Sequence, residues 1–183
     1  FCIAIGDNLI RRKKQSELQE AGGRFPVLVH PSATISRHAN LGHGTVVMAG
    51  AVINAFAEVD CGVIINTSAV IEHDCKINEF SHISPNATLA GGVTVGKCVW
   101  IGAGSVVKQL VNVDDNVVVG AGSVVINNIP KGPLWGELQK QGRVTLESGE
   151  EILLENYQIK GDKPREIIVG GDNDTPELLS EAI

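Results

Sequence analysis

Aliphatic residues recur along this chain every six positions. From Val29 to Val124, sixteen consecutive hexads open on Val, Ile or Leu: Val29, Ile35, Leu41, Val47, Ile53, Val59, Ile65, Ile71, Ile77, Ile83, Leu89, Val95, Ile101, Val107, Val113 and Val119. The fifth position of each hexad is small or β-branched, from Ala33 and Ala39 through Cys75 and Ser81 to Val117 and Ser123. If aliphatics fill roughly 0.3 of positions, sixteen hits in a row have a chance on the order of one in 10⁸, so the period is a property of the fold. Six is neither the 3.6 of a helix nor the 2 of a long strand. It fits a short strand followed by a corner, with three such units closing one coil of a parallel β-helix. The aliphatic position points inward and stacks on its equivalent eighteen residues on, while the small fifth residue lets the wall close. Corners need permissive backbone, and the fourth position supplies it with Gly44, Gly50, Gly62, Gly92, Gly104 and Gly122, or with Asp74, Asn86 and Asn116. These 96 residues make about 5.3 coils, a prism roughly 25 Å tall at ~4.8 Å per coil.

The flanks do not follow the period. Residues 1–28 begin with the apolar run FCIAI, ending at Gly6-Asp7-Asn8, and continue as LIRRKKQSELQEAGG. Leu9, Ile10 and Leu18 among charges predict a helix stopped by Gly22-Gly23. Strand, glycine turn and helix make one βα unit, too small to bury a core alone. It is expected to be the last piece of an α/β (Rossmann-like) nucleotide-sugar domain, which also fits a start at Phe1 rather than Met. Phe25 to His30 then reads as a strand leading into the prism, which occupies 29–125. The segment 126–183 is an irregular extension: Pro130, Gly132, Pro133 and Gly136 break the pattern. A helix near Trp135 to Gln141, hairpin-like strands at Arg143 to Ile159, and a strand, turn and helix over Glu166 to Ile183 are predicted there, with no chemistry assigned.

Composition narrows the classes. The net charge of −6 argues against nucleic acid as the main partner. Most of it lies after residue 125, where eleven acidic and six basic side chains give −5. No apolar run approaches 18 residues and no secretory signal is present, so neither a membrane span nor export is expected. Cys2, Cys61, Cys75 and Cys98 show no CxxC or paired spacing, which suits reduced cysteines in a cytoplasmic protein.

Of five histidines, His30, His38 and His43 read as surface or corner residues near the start of the repeat. His73 is different, because it faces away from the core within Ile71-Glu72-His73-Asp74-Cys75. An imidazole is the usual proton acceptor for an amine or alcohol at neutral pH, and a carboxylate on its other nitrogen fixes the tautomer and raises its basicity. The same EHD sequence also makes an ordinary hydrophilic corner. His82 lies nine residues on, half of one coil, and so on another side of the prism. The two can converge only between neighbouring subunits, as in a closed ring. Scattered histidines and a core-facing Cys75 predict no metal site.

At these residues the chain resembles the sialic acid and bacillosamine O/N-acetyltransferase family of hexapeptide-repeat enzymes. The resemblance is carried by FCIAIGDNLIRRK, VLVHPSATIS, VVMAGAVINAFAEV, IINTSAVIEHDC, INEFSHISPNATLAGGVTVG and VWIGAGSVV, covering about residues 1–130. It implies a left-handed coil, against the general right-handed rule for parallel crossovers, and a homotrimer with a nucleotide-sugar or sugar acceptor bound by an N-terminal α/β domain. It also implies acetyl-CoA as cosubstrate. By match to the family's motifs, His73 falls at the general base and Asp74 at its polarising acid. His82 falls beside the thioester, Ala103 and Ala121 at corners touching the pantetheine arm, and Gly6 and Asn8 where the sugar-binding domain ends. The chain departs from the family in its N-terminal beginning and in running past the prism as NNIPKGPLWGELQ.

The function expected is therefore transfer of acetyl from acetyl-CoA to an amino or hydroxyl group of a sugar, by direct attack with His73 as base. The rival is a non-catalytic β-helix scaffold. A carbonic-anhydrase-like use of the prism needs a third zinc histidine, and the sequence offers none to join His73 and His82.

Overall fold

A computed structural model of the chain describes residues 1–130, together with the backbone of the strands Gly142–Thr145 and Glu151–Leu154. The hexads fold as expected. Two-residue strands follow one another every six residues and pair in parallel with the strand eighteen residues away. Sheet 1 stacks β1 (Leu28–Val29), β4 (Val46–Val47), β7 (Ile64–Ile65), β10 (His82–Ile83), β13 (Trp100–Ile101) and β16 (Val118–Val119). Sheet 2 stacks β2 (Thr34–Ile35), β5 (Val52–Ile53), β8 (Val70–Ile71), β11 (Thr88–Leu89), β14 (Val106–Val107) and β17 (Val124–Val125). Sheet 3 stacks β3 (Asn40–Leu41), β6 (Glu58–Val59), β9 (Lys76–Ile77), β12 (Thr94–Val95) and β15 (Asn112–Val113), and is prolonged by a bridge from Val113 to Ile129. The three sheets wall a parallel β-helix of about five turns.

Each hexad position has a physical job. The first-position residues from Val47 to Val125 line the interior and are buried, whereas Val29, Ile35 and Leu41 sit at the open end and are only partly covered. Fifth-position residues seal the corners. Four of those with a polar hydrogen spend it in one repeated way, on the carbonyl fifteen residues on: Thr45 to Asp60 (2.8 Å), Cys75 to Ala90 (3.2 Å), Ser81 to Gly96 (2.6 Å) and Ser105 to Gly120 (2.7 Å). Thus a buried hydroxyl in the wall is satisfied by the next coil. The fourth position is left-handed throughout the middle coils, at Gly62 (φ 64°) as at Asp74 (φ 59°) and Asn86 (φ 57°).

Outward-facing residues separate the sheets. Sheet 1 presents Leu28, Val46, Ile64, His82, Trp100 and Val118, and sheet 2 adds aliphatics and threonines. Sheet 3 presents Asn40, Glu58, Lys76, Thr94 and Asn112. Two faces are therefore mainly apolar and the third is polar.

The N-terminal prediction holds in part. Helix α1 (Asn8–Glu20) starts where Asp7 caps it, its carboxylate accepting from the Ile10 N–H at 2.8 Å, and ends at Gly22, which takes the left-handed φ of 87°. The strand expected over Phe1 to Ile5 does not form, and among the described residues no strand pairs with this segment. The face of α1 that is buried is also not the apolar one. Asn8, Arg11 and Gln15 are buried against the β-helix, while Leu9, Ile10 and Leu18 are 43%, 50% and 37% exposed. Phe25 and Leu28–Val29 then enter the first coil, as expected.

Beyond the β-helix, Gly142–Thr145 and Glu151–Leu154 pair as an antiparallel hairpin, Gly142 opposite Leu154 and Thr145 opposite Glu151. It overlaps the hairpin-like strands predicted at Arg143 to Ile159. The helix expected at Trp135 to Gln141 and the elements expected over Glu166 to Ile183 lie outside the described residues.

Candidate active site

His73 stands on the corner between sheets 2 and 3, the turn that joins β8 to β9. Its Nδ1 is 2.7 Å from Asp74 Oδ2, and both side chains are more than half exposed. The left-handed backbone of Asp74 folds its carboxylate back along the turn, and the turn is tied to the coils on either side. Asp74 N–H donates to the Ala55 carbonyl at 3.1 Å, and the His73 carbonyl accepts from Gly92 N–H at 2.9 Å. With Nδ1 held by a carboxylate, Nε2 is the nitrogen left to take a proton. The imidazole lies over Gly91: a Cβ there would come within 2.7 Å of His73 Cε1 and Nε2.

His82 occupies the outward position of β10 on sheet 1 and is buried. Its ring stacks on Trp100, one coil on, with centroids 5.2 Å apart and planes at 22°, and the Trp100 indole N–H donates to Ser84 Oγ at 2.8 Å. Asn66 Oδ1 already accepts from Thr67 N–H at 2.8 Å, so the 3.0 Å contact between Asn66 Nδ2 and His82 Nε2 has the amide as donor and the imidazole as acceptor. The proton of neutral His82 is then on Nδ1, which is sealed from solvent without a hydrogen bond of full geometry. Burial above all, then the nearby charge of Arg11, pushes His82 down to about 4, with the Gly6 backbone opposing in part.

Ala103 and Ala121 are exposed on the corner between sheets 1 and 2, stacked one coil apart, with the Gly122 N–H donating to the Ala103 carbonyl at 2.8 Å. Gly6 and Asn8 sit at the start of α1, against sheet 1 and the corner before it. Asn8 Nδ2 donates to the carbonyls of Cys98 (3.1 Å) and Val99 (3.0 Å), and Asn8 Oδ1 accepts from Arg11 Nη2 at 2.8 Å, so its side chain is spent on docking the helix. Within one chain, Gly6, Asn8 and His82 form one group, with Ala103 and Ala121 on the neighbouring corner, and His73 with Asp74 lies on another side of the prism. Among the described residues no group of three or more His, Cys, Asp or Glu is placed to hold a metal ion. Sequence reasoning passed over three residues here. Trp100 was within reach of the eighteen-residue register from His82. Asn66 and Arg11 carried no periodic signal, since one sits on a turn and the other comes from the flank.

The chain is thus a parallel β-helix of hexads with an exposed His–Asp pair on one corner and a stacked histidine on a flat face. It is similar to the acetyltransferase domain of PglB from Neisseria gonorrhoeae, with 43% identity and a TM-score of 0.71 over 72% of this chain and 64% of that one, a domain also solved in complex with acetyl coenzyme A. It is similar to PerB from Caulobacter crescentus, solved with CoA and GDP-perosamine, with 40% identity and a TM-score of 0.71 over 72% and 63% of the two chains. The UDP-N-acetylbacillosamine N-acetyltransferase of Bacillus subtilis is 44% identical over 49 residues, 27% of this chain and 23% of that protein. Ribonuclease Z of Marinobacter nauticus is 48% identical over 58 residues, 32% of this chain but 18% of that enzyme, too small a share to carry its activity across. No family model matches the chain. The chain thus spans less than a quarter of the length of these curated relatives and somewhat under two thirds of the solved ones. The likeness to hexapeptide-repeat sugar N-acetyltransferases holds in sequence and in fold.

Proposed function

We propose that this chain is a sugar acetyltransferase that moves acetyl from acetyl-CoA to the amino group of a nucleotide-linked amino sugar, a sugar hydroxyl being the second acceptor class. The support is a β-helix 43% identical to an acetyl-CoA-binding domain, with His73 and Asp74 paired at 2.7 Å on an open corner. In this reading the acceptor amine attacks the thioester carbonyl, the C–N bond forms to give a tetrahedral oxyanion, and its collapse breaks the C–S bond. His73 Nε2 takes the amine proton, with Asp74 stabilising the imidazolium, and delivers it to the departing sulfur, so that CoA leaves as the thiol. His82 already accepts at Nε2, so the developing oxyanion is met by a backbone N–H and not by that ring. The Caulobacter enzyme has itself been solved with one histidine replaced, by Asn or by Ala, in complex with CoA and GDP-perosamine.

The protein works in this reading as a cytoplasmic homotrimer with the family's left-handed coil. His73 and His82 can share a site only if the corner between sheets 2 and 3 of one subunit meets sheet 1 of the next. That corner carries Phe56, Leu110 and Ile126 at 61%, 75% and 57% exposure, and sheet 1 is the face with Leu28, Ile64, Trp100 and Val118 outward. Joining them covers apolar surface on both sides. The pantetheine arm then runs along the stacked Ala103 and Ala121, and the segment at Gly6 and Asn8, docked on the same side, places the acceptor. Residues 1–28 serve as the edge of the acceptor domain, 29–125 as the β-helix, and 126–183 as an extension.

Calorimetry with acetyl-CoA, followed by thiol release in the presence of UDP- and GDP-linked amino sugars, tests the proposal. Binding and turnover are expected, with turnover abolished and the fold retained in His73→Ala. A chain that does not bind acetyl-CoA is a scaffold; normal turnover by His73→Ala removes the base from that residue.

A further inference from the structure

The ring of His82 has little left to offer a ligand. Its Nε2 accepts from Asn66 Nδ2 at 3.0 Å, its Nδ1 is sealed from solvent, and the residue is 8% exposed. Trp100 is its partner in register on the next strand of sheet 1, so both side chains face outward from adjacent coils. Their rings stack with centroids 5.2 Å apart. The indole is pinned a second time, because its N–H donates to Ser84 Oγ at 2.8 Å. Ser84 is buried at the start of the corner between sheets 1 and 2, so this bond ties the indole to that corner. Trp100 itself is 39% exposed. Its coil runs on through Gly102, Ala103 and Gly104, where no side chain exceeds a methyl group and a Cβ on Gly104 would meet nothing within 4 Å. The aromatic surface presented beside the stacked Ala103 and Ala121 is therefore the indole, with the imidazole beneath it.

From this arrangement we propose that Trp100 is the residue of sheet 1 that receives the thioester end of acetyl-CoA, and that His82 is a positioning residue holding the indole in place. The proposal rests on the acetyltransferase reading and changes the part that His82 plays in it. An imidazole whose acceptor nitrogen is already used and whose N–H is sealed has no hydrogen bond to give a thioester. A thioester sulfur is soft and polarisable and packs well at the edge of an aromatic ring. The indole, held by a stack and a hydrogen bond, has little freedom left to lose when the arm arrives. An extended pantetheine that follows Ala121 to Ala103 thus meets Trp100 on the same coil as Ala103.

Two sets of measurements test this, with size-exclusion chromatography to follow assembly. Trp135→Phe leaves Trp100 as the chain's only tryptophan. In that protein, added acetyl-CoA should change the tryptophan emission with the midpoint that calorimetry gives for binding. In steady-state kinetics, Trp100→Leu should raise KM for acetyl-CoA about tenfold and leave kcat within about twofold, with Trp100→Phe in between. His82→Ala, which removes the support, should raise the same KM. His82→Phe, which restores a ring under the indole without its nitrogens, should bring KM back toward the wild-type value. Calorimetric binding with unchanged emission, or a Trp100→Leu enzyme of wild-type KM, overturns the role of Trp100. A His82→Phe protein as weak for acetyl-CoA as His82→Ala returns the contact to the imidazole and overturns the positioning role. The emission arm stands even if Trp100→Leu fails to assemble. A wild-type chain that binds no acetyl-CoA removes the acetyltransferase reading and this proposal with it, whereas binding with a silent indole removes the proposal alone.

Discussion

A single absent methyl group makes room for the ring of His73, the proposed base. Gly91 is not in a left-handed conformation, so its backbone admits alanine, yet the added Cβ meets the His73 ring at 2.7 Å. Gly91→Ala should therefore swing the exposed imidazole off Asp74, lowering kcat about tenfold or more through misplacement of the proton acceptor. Thermal denaturation should remain near that of the wild type; full activity in the variant would show that the ring needs no such seat. His82 gives a pH prediction of a different kind. Its folded value of about 4 lies below its ordinary 6.5, so between those values the unfolded chain binds a proton that the folded chain does not. Stability should fall as pH drops from about 6.5 to about 4, and this contribution should level off below. Denaturant midpoints compared with His82→Gln isolate the effect, since the difference between the two proteins should vanish near neutrality in slope and grow steeper only inside that window. At this scale the sequence is informative about which residues are polar and where they repeat. Its EHD run marks His73, and the turn geometry then puts Nδ1 on Asp74. The tautomer of His82 is out of its reach, because it depends on Asn66, sixteen residues away on a turn.

Strands of two residues are not stable alone, and the elements of this wall exist through their neighbours eighteen residues before and after. The hexad reveals them because register and burial share one period. The same wall explains a regularity that the sequence shows only as small size. Fifth-position Ser105 donates to the Gly120 carbonyl at 2.7 Å in a buried corner. Ser105→Ala should leave that carbonyl with only the longer bond from the Ser123 N–H at 3.4 Å and destabilise by about 1 kcal/mol, measured by chemical denaturation, while Ser105→Val adds crowding and should do worse. A neutral Ser105→Ala would mean the carbonyl finds another donor. Helix α1 is legible in its bounds and not in its orientation. Leu9, Ile10 and Leu18 suggest an apolar docking face, but the surface offered at that corner is a row of backbone carbonyls from Gly62, Phe80, Cys98 and Val99. Carbonyls select donors, so Asn8 and Arg11 turn inward and the leucines turn out.

At the scale of the whole molecule, the eighteen-residue register alone puts the two histidines on different sides of the prism. The three sheets hold them there, His73 on the corner between sheets 2 and 3 and His82 on sheet 1. What the repeat leaves open is how prisms meet, since period and burial constrain a coil's inside far more than its outside. The proposed seam can be tested by complementation. His73→Ala removes the proposed base from one side of a seam, and Ala121→Trp blocks the proposed pantetheine edge on the other. Each protein alone should be inactive. Co-refolded in equal amounts, random ring assembly draws the two halves of each seam independently, so about one seam in four should pair an intact base with an intact edge. Activity near a quarter of the wild-type level should therefore return, and mixing the folded proteins without exchange should restore nothing. If both halves of the site belonged to one chain, no mixture would regain activity, because every chain would carry a defect in its own site.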